Sequence, residues 1–145
     1  MRLSTKGRYA LRLMLDIALQ PEGEPVSLRD VAKRQEISVK YLEQLAPPLT
    51  RAGLLRSIRG ASGGYLLTRA LADYTVGDIL RAAEGELAPV ECAKTGACCQ
   101  RADKCVTVEV WRDISQAIDA VVDRWTLADL ADRYYAKCGV GAPAL

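Results

Sequence analysis

Apolar residues recur at three- and four-residue spacings along much of this chain, and polar caps mark where the periodic stretches begin. Leu42, Leu45 and Leu49 form one such stripe behind Ser38, which predicts an N-capped helix with Lys40, Tyr41, Glu43 and Gln44 on its open side. Just upstream, residues 27–34 predict a second helix capped by Ser27, and only Gln35, Glu36 and Ile37 separate the two. That is the spacing of a helix-turn-helix, in which the second helix reads DNA. Ser4 caps an entry helix running to about Leu19, with Ala10, Leu13, Met14, Ile17 and Ala18 on its buried stripe. Pro21 and Pro25 bracket the loop that follows. Pro47-Pro48 removes two backbone donors, which predicts a short reading helix, interrupted there, with a further turn over residues 49–52 that stops at Gly53.

Beyond Gly53 the period changes to that of strands. Residues 54–58 and 65–68 are two strand candidates, and the connection between them holds Gly60, Gly63 and Gly64, which permit a tight reversal. A hairpin directly after a helix-turn-helix is a wing, and Arg59 at its tip is placed where a winged helix touches the adjacent minor groove. Thr75 and Asp78 open a further helix through Ile79, Leu80 and Ala83 to Gly85; Pro89 then starts a loop. After the loop, Trp111, Ile114, Ile118, Val121 and Trp125 mark the narrow seam of a long helix, and Thr126 with Asp129 caps a last one to about Tyr135. A two-fold DNA site needs two reading helices, so the seam is expected to form a homodimer. The fold class is therefore mainly α with a small β-hairpin wing. Residues 1–85 are a winged helix-turn-helix domain, 86–105 a Cys-rich loop, and 106–145 a long dimerisation helix with a C-terminal helix.

Charge sharpens this picture once it is divided along the chain. Up to residue 70 there are 12 Lys/Arg against 6 Asp/Glu, and after it 8 against 12, so a net charge of +2 hides halves of +6 and −4. The basic half coincides with the helix-turn-helix, as a phosphate-facing surface requires. Arg2, Lys6, Arg8 and Arg12 crowd the start of the entry helix, where cations oppose the helix dipole, and this implies an anion nearby, with DNA phosphate as the candidate. The N-terminus lacks an apolar signal and no window reaches about 18 uninterrupted apolar residues, so the expected location is the cytoplasm, with no membrane contact. The chain has no His, no phosphate-cradling glycine loop opening a helix and no paired acid and base, which argues against an enzyme.

Four of the five Cys fall within the fourteen residues 92–105. An odd Cys count without an export signal points to metal or redox thiols rather than a disulfide framework. Thiolates bind iron, and Lys94, Arg101 and Lys104 are placed to favour the thiolate. Structural zinc and metal-free redox thiols are the alternatives, although adjacent Cys98 and Cys99 fit one tetrahedron poorly. Cys138 stands apart.

Taken together, residues 1–10, the segment Tyr41-Leu42-Glu43-Gln44-Leu45, the wing with Arg59-Gly60 and Gly63-Gly64-Tyr65, and the Cys loop followed by Trp111 resemble the IscR-type family of winged-helix transcriptional regulators, which includes iron-sulfur, nitric-oxide and iron sensors. The resemblance spans almost the whole chain. It implies a homodimer that binds double-stranded operator DNA through Ser38, Lys40, Tyr41, Glu43, Gln44 and Arg59. It also implies an iron-sulfur cluster, two-iron two-sulfur in preference to four-iron four-sulfur, on thiols of the loop, with cluster-assembly proteins as further partners. The family's first and last ligands fall on Cys92 and Cys105; the middle one is Cys98 or Cys99, and the run from Cys99 to Cys105 fits better. Where an iron-sulfur member places a His ligand this chain has Val108, and where nitric-oxide sensors place a carboxylate it has Arg8, so the fourth ligand stays open. A thiol-redox regulator of cysteine or sulfur metabolism and a nitric-oxide-responsive repressor are the other roles open to the same fold.

Overall fold

Three helices bring their apolar stripes to one centre: α1 (Thr5–Ala18), α2 (Leu28–Gln35) and α3 (Val39–Arg51). The computed structural model describes residues 3–97 and 99–139. Ala10, Leu13, Met14, Val31, Leu42, Leu45 and Leu49 are fully or almost fully buried, as the spacing predicts. Ser4, Ser27 and Ser38 each accept a backbone N–H of the first turn, so all three caps are formed. Glu36 takes the left-handed conformation at φ 54° and turns the chain from α2 into α3. A non-glycine residue pays roughly 1 kcal/mol or more for this geometry, and burial of Ile37 beside it holds the turn closed.

The reading helix is not interrupted at Pro47-Pro48: α3 runs through both prolines to Arg51. The rings remove the donors that would reach the carbonyls of Glu43 and Gln44, and both of those residues are exposed, where water supplies the missing partner. Leu45, Ala46 and Leu49 meanwhile bury the opposite face, and that packing outweighs the local preference.

After Gly53, β1 (Leu55–Ile58) and β2 (Gly64–Leu67) pair antiparallel from Leu55 with Leu67 to Ile58 with Gly64. A second attachment runs from β2 to the loop before α2, where Val26 and Tyr65 exchange hydrogen bonds of 3.0 and 2.8 Å. Gly64 has to be glycine there, because a Cβ would come within 2.4 Å of the Val26 carbonyl oxygen.

A 3-10 turn (Leu71–Asp73) leads to α4 (Val76–Glu84), which lies along α1. Another short turn (Glu91–Ala93) sits in the loop before α5 (Thr107–Arg124), and α6 (Leu127–Cys138) is the last helix among the described residues. Thr75 and Thr126 both form the capping boxes read in the sequence, with Asp78 and Asp129. α6 is a turn longer than expected and packs back onto α1, with Leu127 fully buried and Ala131 nearly so. Trp125 falls outside α5, in extended backbone at its C-cap, with the Arg133 guanidinium 5.2 Å from its ring centre. α5 itself is tied to α4 by Arg81, which reaches Asp119 at 2.6 Å and Asp123 at 2.7 Å, and by Gly77, where a Cβ would meet Asp123. Of its apolar residues only Val108 is buried, while Val110 and Val121 are half exposed and Trp111, Ile114 and Ile118 are partly so.

Candidate nucleic-acid interface and thiol loop

Packing of Leu42, Leu45 and Leu49 inward leaves Lys40, Glu43 and Gln44 exposed on α3, behind the Ser38 cap. These are one cation, one carboxylate and one amide, a set able to donate to and accept from base edges. Tyr41 is not on the open side with them: it is half-buried, with its ring edge-on to Tyr9 of α1 at 5.6 Å between centroids. Its position in the first turn brings it against the entry helix, so it serves as the joint between α1 and α3.

Two of the cations expected at the start of α1 gather at the same joint. Arg12 lies 5.3 Å and Arg8 6.0 Å from the Tyr9 ring centre, while Lys6 is exposed in the first turn. Arg2 lies outside the described residues. The anion demanded by the crowded helix start is present within the chain. Glu84, at the end of α4, accepts from the Ser4 N–H at 2.8 Å, the Ser4 hydroxyl at 2.5 Å and the Gly7 N–H at 2.9 Å. Partial burial pushes its carboxyl up, but the bonds from Ser4 and Gly7 together with Lys6 outweigh this and hold it below the ordinary glutamate value. Gly7 makes the approach feasible, since a Cβ would stand 2.7 Å from the carboxylate oxygen.

Sequence reasoning missed Asp16. It is 2 % exposed on α1 and accepts from Arg34 through both Nε and a terminal nitrogen at 2.6 Å, and from the Gln35 amide at 2.8 Å. Gln35 in turn accepts from Arg12 through its side chain and its carbonyl. The carboxylate thereby fixes the last two residues of α2 just before the Glu36 turn that aims the reading helix. Its one visible signal in the sequence is an acid on the apolar stripe, between Leu13 and Ile17.

Arg59 is exposed at the wing tip. Gly63 closes the turn behind it, where a Cβ would lie 2.2 Å from the Ile58 carbonyl oxygen.

Among the described residues, the three thiols of the loop do not form one group. Cys92 is half-buried in the 3-10 turn that packs against α5, Cys99 is exposed, and Cys105 is half-buried just before α5. Cys98 lies outside the described residues. Among the described residues no three or more Cys, Asp or Glu come together in a metal-binding arrangement. Cys105 lies 3.2 Å from the Thr107 hydroxyl. That hydrogen bond first, then the Val108 and Thr107 amides that open α5 and the Arg101 charge, lowers its thiol below the ordinary cysteine value. Of the cations expected to help, Lys94 is paired with Glu91 at 2.6 Å.

Comparison with known proteins agrees with this geometry over most of the chain. The family described as "Rrf2: Iron-dependent Transcriptional regulator" matches residues 3–133. The chain is 45 % identical over 130 residues to Protein rrf2 of Nitratidesulfovibrio vulgaris, covering 90 % of this chain and 87 % of that one. Two solved structures superpose closely: IscR of T. potens, with a TM-score of 0.75 at 42 % identity over 92 % of this chain and 88 % of the other, and CymR, the global cysteine regulator of B. subtilis, with a TM-score of 0.74 at 42 % identity over 92 % and 98 %. The matching family is described as one of transcriptional regulators, and CymR is likewise described as a regulator.

Proposed function

Because the chain belongs to the Rrf2 family of DNA-binding transcriptional regulators, we propose that it reads operator DNA as a homodimer through Ser38, Lys40, Glu43, Gln44 and Arg59, and that the loop thiols switch this binding. The observation that carries the reading is the exposed polar face of α3, held against α1 by Tyr41 and aimed by the Asp16 clamp on α2. Lys6 and Arg8 hold phosphate beside it. Gln44 reads a base edge, while Glu43 accepts from cytosine or repels the wrong site. The half-exposed apolar seam of α5 supports the homodimer, since a monomer would leave Val110, Val121 and part of Ile118 in water.

For the switch we favour an iron-sulfur cluster held by Cys92, Cys99 and Cys105. The donor chemistry suits it: thiolates are the ligands of such clusters, and Cys105 is held toward the thiolate. When bound, the cluster supplies a redox- and iron-responsive link between the loop and the start of α5. Cys105 adjoins that helix and the turn of Cys92 packs on it, so a group held by these thiols would tie the loop to the start of α5. A metal-free thiol switch is the second reading, supported by the separation of the described thiols and by the similarity to CymR.

The DNA reading is tested by titrating duplexes, selected from a random pool by the wild-type protein, at several salt concentrations. Gln44→Ala is expected to weaken the selected site by ~1 to 3 kcal/mol and leave random DNA unchanged, and Lys6→Ala to weaken both and flatten the salt slope. Equal losses on both duplexes for Gln44→Ala remove it from the readout.

A further inference from the structure

Tyr74 is fully buried, yet its hydroxyl stands at the open end of the wing ladder. It donates to the Leu54 carbonyl at 3.0 Å and accepts from the Thr68 and Arg69 N–H groups at 2.6 and 3.2 Å. Leu54 and Thr68 are the positions just beyond the last strand pair, Leu55 with Leu67, so a side-chain oxygen closes the hairpin where the next rung would run. The Thr68 hydroxyl adds a bond of 2.6 Å to the Gly53 carbonyl and lies 3.1 Å from the same tyrosine oxygen. The backbone of Tyr74 is engaged from the opposite direction: its carbonyl accepts from Leu127 N–H at 3.0 Å, and Val76 N–H donates to Trp125 at 2.8 Å, across the bridge between Thr75 and Thr126. One residue thus holds the base of both strands and the junction of α5 with α6.

We propose that Tyr74 is the positioning residue of the wing, fixing β1 to the α5–α6 junction so that Arg59 is presented at a set place relative to the long helix. The bridge from Val26 to Tyr65 pins β2 alone. β1, the strand that leads into Arg59, has its base anchored through Leu54. Arg59 lies four residue steps beyond Leu55, a lever of about 13 Å, so a tilt of about 10° at the base moves the tip by roughly 2 Å, enough to lose a directional hydrogen bond. The consequence for recognition is specific. A wing that has lost this base no longer delivers Arg59, whereas the face of α3 is untouched.

The inference rests on Arg59 meeting DNA, and a double-mutant cycle separates the two claims. Tyr74→Phe keeps the buried ring and removes the hydroxyl alone; its fold is checked by thermal unfolding, and Thr68→Val repeats the experiment from the exposed side of the clamp. Affinity for the selected duplex is measured for wild type, Arg59→Ala, Tyr74→Phe and the double variant. Arg59→Ala alone is expected to weaken binding roughly tenfold. In the Tyr74→Phe or Thr68→Val background the same change is expected to cost less than about twofold, because the contact is already lost. The full tenfold loss in both backgrounds overturns the positioning role while leaving the wing contact standing. No loss from Arg59→Ala in the wild-type background overturns the wing contact itself, and the positioning role with it.

Discussion

Replacing Glu84 by Gln isolates what the carboxylate contributes at the start of α1. The amide keeps the shape and an acceptor oxygen, but three donors converge on that one atom, from Ser4 twice and Gly7 once. A hydrogen bond to a charged group is worth about 1.5 to 3 kcal/mol against 0.5 to 1.5 for a neutral one, so the charge adds about 1 kcal/mol per bond before any discount. Favourable contact with the helix N-terminus adds about 0.3 to 1 kcal/mol. Ser4 is exposed, and solvent screens part of this sum. A net loss of about 1 to 2 kcal/mol remains, which for a chain of this size lowers the melting temperature by roughly 3 to 7 °C. The folded-state pKa of Glu84 is lowered, so its stabilisation is complete above the unfolded glutamate value, about 4.3, and is lost as pH falls through the folded value. Thermal unfolding followed by circular dichroism is expected to separate the two proteins at neutral pH and to bring them together as the medium is acidified past that point. Equal melting temperatures at pH 7, or a gap that survives acidification, would refute the reasoning.

Three further outcomes are expected. Asp16→Ala breaks a buried ion pair whose partner Arg34 still reaches solvent, and a loss of ~3 kcal/mol in urea unfolding is expected, at the low end for buried pairs; a change below about 1 kcal/mol would show the clamp to be dispensable. Ile118→Asp places a charge in the seam of α5 and is expected to give monomers in sedimentation with weakened operator binding; a persistent dimer would place the seam against its own chain. Thr107→Val removes the first cause of the lowered Cys105 thiol, so the pH midpoint of its alkylation, followed by peptide mass spectrometry, is expected to move upward. An unmoved midpoint would assign the effect to the amides that open α5.

The elements legible in the sequence are those whose local signals agree with their surroundings. Ser4, Ser27, Ser38, Thr75 and Thr126 all cap where their hydrogen-bonding geometry predicts, and the wing follows from its glycines. What escaped was decided by distant contacts. The prolines of α3 break a rule that counts only neighbours, and burial of Ala46 and Leu49 on the other face sustains the helix. Nothing local announces the partners of Asp16 and Glu84, because those partners lie 18 or more residues away in sequence. Tyr41 looked outward by helical phase alone, and Tyr9, from another helix, draws it in. Of the thiol loop, the sequence shows which groups are available and not how they meet.

The most direct test of a thiol-switched regulator compares operator affinity with iron and sulfide content in protein purified without oxygen. Wild type is expected to hold iron with visible absorption and to change affinity by roughly five- to 150-fold on removal of the cluster. Cys92→Ala, Cys99→Ala and Cys105→Ala are expected to lose both the iron and the change in affinity. Full iron and unaltered affinity in all three variants, or one affinity shared by loaded, stripped and substituted protein, would contradict the account.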